Sequence, residues 1–308
     1  MPIEKNTLVL TIGSFDGLHL GHQEIVRQVK KIAQEVHGLP GMITFHPLPA
    51  QLLHPDFPYL LTPIDEKITL ITELGIQFTY VIEFNQQLRA TEPEQFILNY
   101  VTPLHPKVLV IGSDHHFGKN GRGDTSLLLT ILKPHEAELE IVPEFYHLGA
   151  PVRSTRIREH LLLGHIRLAA ELLGRLYSFT GKVIPGSGTG RRLGFPTMNL
   201  QPIHREKLLP AEGVYAVIVE TPNGNFGGVL NIGFRPTFGG GKRTIEVHIL
   251  NYPQDVPKVE KITIHFLERL RPEAKFENPE DLKHQITRDV AFAAKLIKES
   301  TYGSLILP

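Results

Sequence analysis

A ten-residue string, Gly13-Ser14-Phe15-Asp16-Gly17-Leu18-His19-Leu20-Gly21-His22, stands between two opposite periodicities and limits what this chain can fold into. Ahead of it runs Leu8-Val9-Leu10-Thr11-Ile12, a near-continuous apolar stretch that reads as a buried strand. Behind it, Ile25, Val26, Val29, Ile32, Ala33 and Val36 recur at helical spacing. Strand, glycine-rich turn and helix start, in that order, make a place for an anion, because the first helical turn leaves backbone N–H groups unpaired at the positive end of the dipole. The three glycines permit tight turning and close approach of a ligand to the backbone. His19 and His22 bring two imidazoles to the helix start, and the constellation suits a triphosphate. In a chain with 16 histidines a His-x-x-His pair alone is a weak signal. The whole string in its strand–helix context is a strong one.

Composition removes several classes of function. At 308 residues the chain is long enough for two domains with separate cores. Lys+Arg and Asp+Glu are both 32, so no charge bias draws it to nucleic acid or to an anionic membrane, and no macromolecular partner is implied. The expected partners are small molecules, with no nucleic acid, membrane or protein among them. Cysteine is absent, which excludes disulfides, thiolate zinc sites and cysteine nucleophiles and fits a reducing compartment. No signal-peptide pattern opens the chain, and no apolar run approaches the roughly 20 residues that span a bilayer. A cytoplasmic protein is the expectation.

The first half alternates strand and helix. Gly38 stands where a C-cap glycine belongs, and Met42-Ile43-Thr44-Phe45 is a short apolar strand. Thr62-Pro63 reads as cap and first residue of a helix whose face is Ile64, Ile68, Ile71 and Leu74, ending at Gly75. Phe78 to Phe84 is strand-like, and Thr91-Glu92-Pro93-Glu94 reads as a capping box for a helix to about Val101. Val108 to Ile111, a helix near Ser126 to Lys133 and a strand near Leu139 to Glu144 follow. The expectation is a Rossmann-like, doubly wound parallel sheet over residues 1–175, with ligands at the carboxyl ends of its strands.

From about Gly174 the pattern changes. Two short helical patterns, Ile157 to Leu163 and Ile166 to Leu173, give way to strands at Tyr177 to Ile184, Val214 to Glu220, Phe226 to Phe234, Thr244 to Leu250 and Lys261 to Phe266. Strands without intervening helices predict an antiparallel β-barrel or sandwich over residues 176–308. It is closed by an amphipathic helix at Pro279 to Ser300, with Leu282, Ile286, Val290, Ala293, Ala294 and Ile297 on one face.

Four further motifs carry chemistry. Gly112-Ser113-Asp114-His115-His116-Phe117-Gly118 opens a glycine-rich loop after a strand. Ser154-Thr155-Arg156-Ile157-Arg158 offers hydroxyls and guanidinium groups at a helix start, a combination that caps N–H groups or binds phosphate. Gly186-Ser187-Gly188-Thr189-Gly190-Arg191-Arg192-Leu193-Gly194 runs into Phe195-Pro196-Thr197-Met198-Asn199. Finally, Asn231-Ile232-Gly233-Phe234-Arg235-Pro236-Thr237-Phe238 precedes Thr244-Ile245-Glu246-Val247-His248-Ile249, where Glu246 faces away from the apolar side of its strand and is either solvated or part of a polar site.

The first string resembles the HxGH signature of the nucleotidylyltransferase superfamily, in the form found in bacterial bifunctional riboflavin kinase/FAD synthetases. The later motifs resemble that family's Gly-x-Asp-Phe-Arg-Phe-Gly, Ser-Ser-Thr-x-Ile-Arg, Gly-Arg-x-x-Gly-Phe-Pro-Thr-Ala-Asn and Leu-Arg-x-Glu-x-Lys-Phe, the last at Leu270 to Phe276. The resemblance implies that His19 and His22 hold ATP phosphates in an FMN adenylyltransferase domain. It implies that Gly13, Ser14, Phe15, Asp16, Gly17, Gly21, Asp114, Phe117, Ser154, Thr155 and Arg158 bind nucleotide or flavin there. In a riboflavin kinase domain it implies Gly186, Gly190, Arg191, Gly194 and Pro196 around ATP, Arg271 near the flavin, Thr197 and Asn199 as Mg²⁺ ligands, and Glu246 as catalytic base. ATP would be co-substrate, and FMN and FAD the products. The chain departs from the family at His115 and His116, at Thr44-Phe45-His46-Pro47-Leu48-Pro49, and at Asp255 to Lys258. These departures keep open an enzyme with one of its two activities, a transferase for another small phosphate, and a non-catalytic flavin-binding module.

Overall fold

The computed structural model describes residues 7–53, 57, 59–186, 188–235, 242–253 and 259–300. By contacts the chain divides into two compact units, 1–154 and 155–308. The expected residues Ser187, Pro236 to Phe238 and Asp255 to Lys258 lie outside the described residues.

In the first unit, β1 (Leu8–Ile12), α1 (Leu20–Glu35), β2 (Leu39–His46), α2 (Pro49–Leu53), α3 (Ile64–Glu73), β3 (Phe78–Glu83), α4 (Gln86–Arg89), α5 (Pro93–Tyr100), β4 (Pro106–Gly112), α6 (Thr125–Leu132) and β5 (Glu138–Val142) follow one another, and a small hairpin of β6 (Tyr146–His147) and β7 (Ala150–Pro151) ends it. The five longer strands form one parallel sheet in the order β3-β2-β1-β4-β5. Every residue of β1 is buried because the sheet is covered on both sides. Leu8, Leu10 and Ile12 pack into one core with Phe96, Ile97, Leu128 and Leu132 of α5 and α6, while Val9 packs into another with Val26, Val29 and Ile71 of α1 and α3. The order reverses between β1 and β4. A crevice therefore opens at their carboxyl ends, between the turn after β1 and the loop after β4, which are the two glycine-rich stretches of the sequence.

In the second unit, α7 (Ser154–Leu163) and α8 (Ile166–Leu173) precede β8 (Ser178–Ile184), α9 (Thr189–Arg192), β9 (Met198–Pro202), β10 (Gly213–Thr221), β11 (Gly224–Arg235), β12 (Lys242–Ile249), β13 (Lys261–Arg271) and α10 (Pro279–Glu299). Six strands close an antiparallel barrel in the order β10-β11-β12-β9-β8-β13. Tyr215 and Phe266 meet edge to face at 5.2 Å, with Phe179 beside them at 5.9 Å. On the outer wall Val214, Ala216 and Val229 pack against Ala293 and Ile297 of α10. The contact division falls earlier in the chain than the change in sequence pattern, and α8 contacts β13.

Several local expectations give way to tertiary demands. The stretch Met198 to Pro202, read as part of a loop motif, is a strand that completes the barrel. Helix α3 starts at Ile64 with Pro63 before it, and Thr62 is no cap: its hydroxyl accepts from the Gly17 N–H and donates to the buried Asp16 carboxylate, not to or from the first turn of the helix. Thr91 does not cap α5 either, since its hydroxyl donates to the Gln87 carbonyl. After α1 it is His37 that takes the left-handed conformation at φ 51°. Gly38 is needed for another reason, because a Cβ there would sit 2.3 Å from the Thr7 carbonyl oxygen.

Candidate active sites

At the crevice of the first unit the turn after β1 is held from below. Gly13 N–H donates to the Ile43 carbonyl at 3.1 Å. The Asp16 carboxylate, 3% exposed, accepts from the Leu61 and Thr62 N–H groups at 3.0 and 2.9 Å, and Gly17 N–H donates to the Thr62 hydroxyl at 2.9 Å. Asp16 and Gly17, expected among the ligand-binding residues, therefore face inward and pin the turn to residues 61–62. Phe15 and Leu18 bury their side chains in the core from positive-φ backbone, at 48° and 41°. The hydroxyl of Ser154 donates to the Asp16 carbonyl at 2.7 Å.

His19 is the N-cap of α1. Its Nδ1 accepts from the His22 N–H at 3.4 Å, which in the neutral ring leaves the proton on Nε2. The His19 and His22 rings stack at 3.6 Å, and His22 also meets the edge of Phe15 at 5.1 Å. Two cavities adjoin here. One, of about 230 Å³, is polar, with His19, Gly21, Asp114, Glu144, Arg153 and Ser154 in its wall. The other, of about 500 Å³, is lined by Gly13, Ser14 and Phe15 and by the rings of Phe45, Phe84, Phe96 and Phe117. His22, Ile25, Gly112 and Asp114 belong to both walls. Arg153 pairs with Glu144 and lies 3.9 Å from Asp114. His115 stacks on Phe117 at 6.0 Å, and burial pushes its imidazole down to about 4, so the ring is neutral at physiological pH. Thr155 and Arg158, expected to bind adenylate, stand on α7, and Arg158 is buried.

Sequence reasoning missed Lys67. It is 1% exposed, and its ammonium donates to the Ser14 carbonyl at 3.1 Å, the Thr44 hydroxyl at 3.0 Å and the Phe45 carbonyl at 3.2 Å. Burial lowers its pKa to about 8, opposed in part by the Asp16 carboxylate. The signal was present in the sequence: Lys67 occupies the i+3 slot of the stripe Ile64, Ile68, Ile71, where an apolar residue belongs.

In the second unit, strand register builds the site. Antiparallel pairing sets Asn231 of β11 opposite Glu246 of β12, and Glu246 opposite Asn199 of β9. Directly opposed residues share a face, so three oxygen-bearing side chains form a row across the outer wall. Thr197 donates to the Glu246 carboxylate at 3.3 Å. Ile245, Val247 and Ile249 are buried while Glu246 is only part-buried, and it lines a cavity of about 810 Å³ with Gly190, Thr197, Asn231 and Arg271. Of the two readings of Glu246, solvated or part of a polar site, the second holds. The glycines of the preceding loop are required by close approach. A Cβ on Gly186 would lie 2.0 Å from the Asn199 amide, and one on Gly190 would lie 2.4 Å from the Phe195 carbonyl and 3.0 Å from the Thr197 hydroxyl. Gly194 takes φ 90° in the turn that follows the exposed Arg191, and the Pro196 carbonyl bonds His248 Nδ1 at 2.8 Å. Thr197 and Asn199 offer the hard oxygen donors that Mg²⁺ prefers, so these two residues fit that ion and leave the Glu246 carboxylate beside them.

Helix α10 supplies the far wall of this cavity through Leu282, Ile286 and Asp289. Asp289, 5% exposed, holds Arg271 in a fork, with contacts of 3.1 Å from Nε and 2.8 Å from Nη2, and accepts from Gln285 at 2.9 Å. Asp289 was also missed, and it too interrupts an apolar stripe, between Ile286 and Val290.

An open sheet with paired cavities at its carboxyl edge, followed by a closed barrel with a cavity on its outer wall, is a two-centre architecture, and comparison with known proteins places it among the transferases. Residues 1–156 match the FAD synthetase family and residues 173–297 the riboflavin kinase family. The chain is 35% identical over 291 residues to a bifunctional riboflavin kinase/FMN adenylyltransferase of Bacillus subtilis, covering 93% of this chain and 91% of that one. It is 34% identical over 288 residues to the protein of that name in Escherichia coli K12, covering 91% and 90%. This chain belongs to the bifunctional riboflavin kinase/FMN adenylyltransferase family. A crystal structure described as a macrolide-efflux protein from Streptococcus pneumoniae superposes with a TM-score of 0.87 at 29% identity, covering 94% of this chain and 95% of that one. Among the described residues no helix of the present chain is long and apolar enough to cross a membrane.

Proposed function

We propose that this chain makes FAD from riboflavin in two ATP-dependent steps, one in each unit. In the barrel, the ribityl 5′-hydroxyl attacks the γ-phosphate of ATP, giving FMN and ADP, and Glu246 accepts the hydroxyl proton. Thr197 and Asn199 would hold Mg²⁺, which supplies charge neutralisation on the transferring phosphates. Arg271, fixed by Asp289, would face the flavin.

In the first unit, an oxygen of the FMN phosphate attacks the α-phosphorus of a second ATP. The new P–O bond forms as the bond to the β-phosphate breaks, and pyrophosphate leaves. The nucleophile is already an anion, so positioning and charge stabilisation do the work. The phenylalanine-lined cavity suits the isoalloxazine ring and the polar one suits the nucleotide. The observation that carries this reading is the wall they share: His22 lines both cavities, so a phosphate in one and a phosphate in the other would meet beside it. Ser154, Thr155 and Arg158 would bind the adenylate side. Two successive ATP-consuming steps on small molecules fit a cytoplasmic location.

The test is a time course of the full chain with riboflavin, ATP and Mg²⁺, separating riboflavin, FMN and FAD. FMN followed by FAD is expected. FMN alone would remove the first-unit assignment. FAD formed only from added FMN would remove the barrel's. No conversion of either flavin would overturn the enzyme reading.

A further inference from the structure

Lys67 is the most deeply buried charged side chain among the described residues, and the two-step chemistry leaves it without a task. Its ammonium spends all three protons on neutral oxygens, two of them backbone carbonyls. One of those carbonyls, that of Ser14, is gripped twice, since the Thr44 hydroxyl also lies 3.2 Å from it. In a trans peptide the carbonyl and the N–H point in opposite directions. The Ser14 carbonyl points down to Lys67 and Thr44, so the N–H of the same peptide, that of Phe15, points up toward the cavity lined by Ser14, Phe15 and His22. That N–H has no acceptor among the described residues. Phe15 holds φ 48°, a conformation that a residue with a side chain keeps only where its surroundings over-determine it. A cation donating to the carbonyl also polarises the peptide and strengthens its N–H as a donor.

We propose that Lys67 is a positioning residue of the adenylyl-transfer site, fixing the Ser14–Phe15 peptide so that its N–H meets the phosphate that changes hands. The inference rests on the first unit being the adenylyltransferase. Around the ammonium stand Ser14 and Asp16 from the turn after β1 and Thr44 and Phe45 from β2. Of these only Asp16 is charged.

The test is FAD formation from FMN, ATP and Mg²⁺ by the full chain, followed between about pH 7 and pH 9.5. The ammonium is charged below about 8 and neutral above. The wild-type kcat should therefore fall as pH rises through that value. Lys67→Met, close in volume and uncharged, should lower kcat roughly 10- to 100-fold at about pH 7, less than the roughly 10²- to 10³-fold of removing an oxyanion donor outright, because the N–H is misaimed and not deleted. It should move the KM for FMN less than about twofold and abolish the fall near pH 8. Thr44→Val takes an acceptor from the ammonium, which disfavours its charged form, so the break should move to lower pH. FMN formation from riboflavin, carried by the other unit, should keep one pH profile in all three proteins. A Lys67→Met protein with wild-type kcat, with an unchanged fall near pH 8, or with an effect on KM alone overturns the inference. If that variant does not fold, Thr44→Val decides: a shifted break supports the inference and an unshifted one overturns it. Wild-type protein that makes no FAD from FMN at any pH overturns the functional assignment first, and the inference with it.

Discussion

The cavities of the two units are built on opposite plans. In the first unit the strands run parallel and the sheet is open, so its order can reverse and leave a crevice with a helix N-terminus beside it. The polar cavity there is walled by His22, Arg153 and Ser154 beside the turn after β1, and buried side chains beneath that turn, Asp16, Thr62 and Lys67, hold its backbone in place. In the second unit the barrel closes on itself and offers no crevice. Its cavity lies on the outer wall and needs α10 as a second wall, and its polar groups are side chains lined up by register, Asn231, Glu246 and Asn199. Each plan buries one charge in an otherwise apolar helix stripe. Lys67 is met by three neutral oxygens, and Asp289 by a guanidinium fork. An open α/β edge thus sets its cavities beside a turn of main chain held from below, whereas a closed barrel lines up side chains by register, and a substitution that removes a side chain should bite harder in the barrel.

The sharpest test of that contrast is Glu246→Gln. It should lower FMN formation by about 10²- to 10⁴-fold, the scale of a lost general base, and leave conversion of FMN to FAD unchanged, as assayed by separating the flavins. Loss of both would break the assignment of one centre to each unit. His22→Ala should do the reverse, lowering FAD formation from FMN by about 10²- to 10³-fold while FMN formation continues. His19→Ala should act in the same direction and also cost about 1 kcal/mol of stability, because that ring caps α1. Asp289→Ala leaves the Arg271 guanidinium without its buried partner. It should destabilise the second unit by about 3 kcal/mol in a urea titration and raise the KM for riboflavin without touching FAD formation from FMN. The smallest effect belongs to Thr91→Ala. A true cap would cost about 1 kcal/mol, but the Thr91 hydroxyl bonds an exposed carbonyl, and the change in urea midpoint should correspond to less than about 0.5 kcal/mol.

The pattern of residues along the chain was enough to announce the parallel sheet and the barrel. Burial on both faces forces unbroken apolar strands such as Leu8 to Ile12, and burial on one face forces the alternation of Ile245 to Ile249. Local sequence likewise marked both glycine-rich loops, since tight turns and close backbone approach leave few alternatives to glycine. The strand at Met198 to Pro202 escaped because five residues between a proline and a loop carry too little periodicity to stand out. Thr62 and Thr91 were misjudged because a cap needs its oxygen aimed at the first-turn N–H groups, and tertiary and local contacts instead turn these hydroxyls toward the Asp16 carboxylate and the Gln87 carbonyl. Lys67 and Asp289 were visible as charges set in apolar stripes, but their partners were not: Ser14 lies 53 residues from Lys67 along the chain, and Arg271 lies 18 from Asp289. The sequence by itself determined where backbone could turn and which faces must avoid water, because those depend on each residue's own sterics and solvation. Only the tertiary structure decided which carbonyl a buried ammonium would grip and which three strands would set their oxygens in one row, because a hydrogen bond depends on where two distant segments meet.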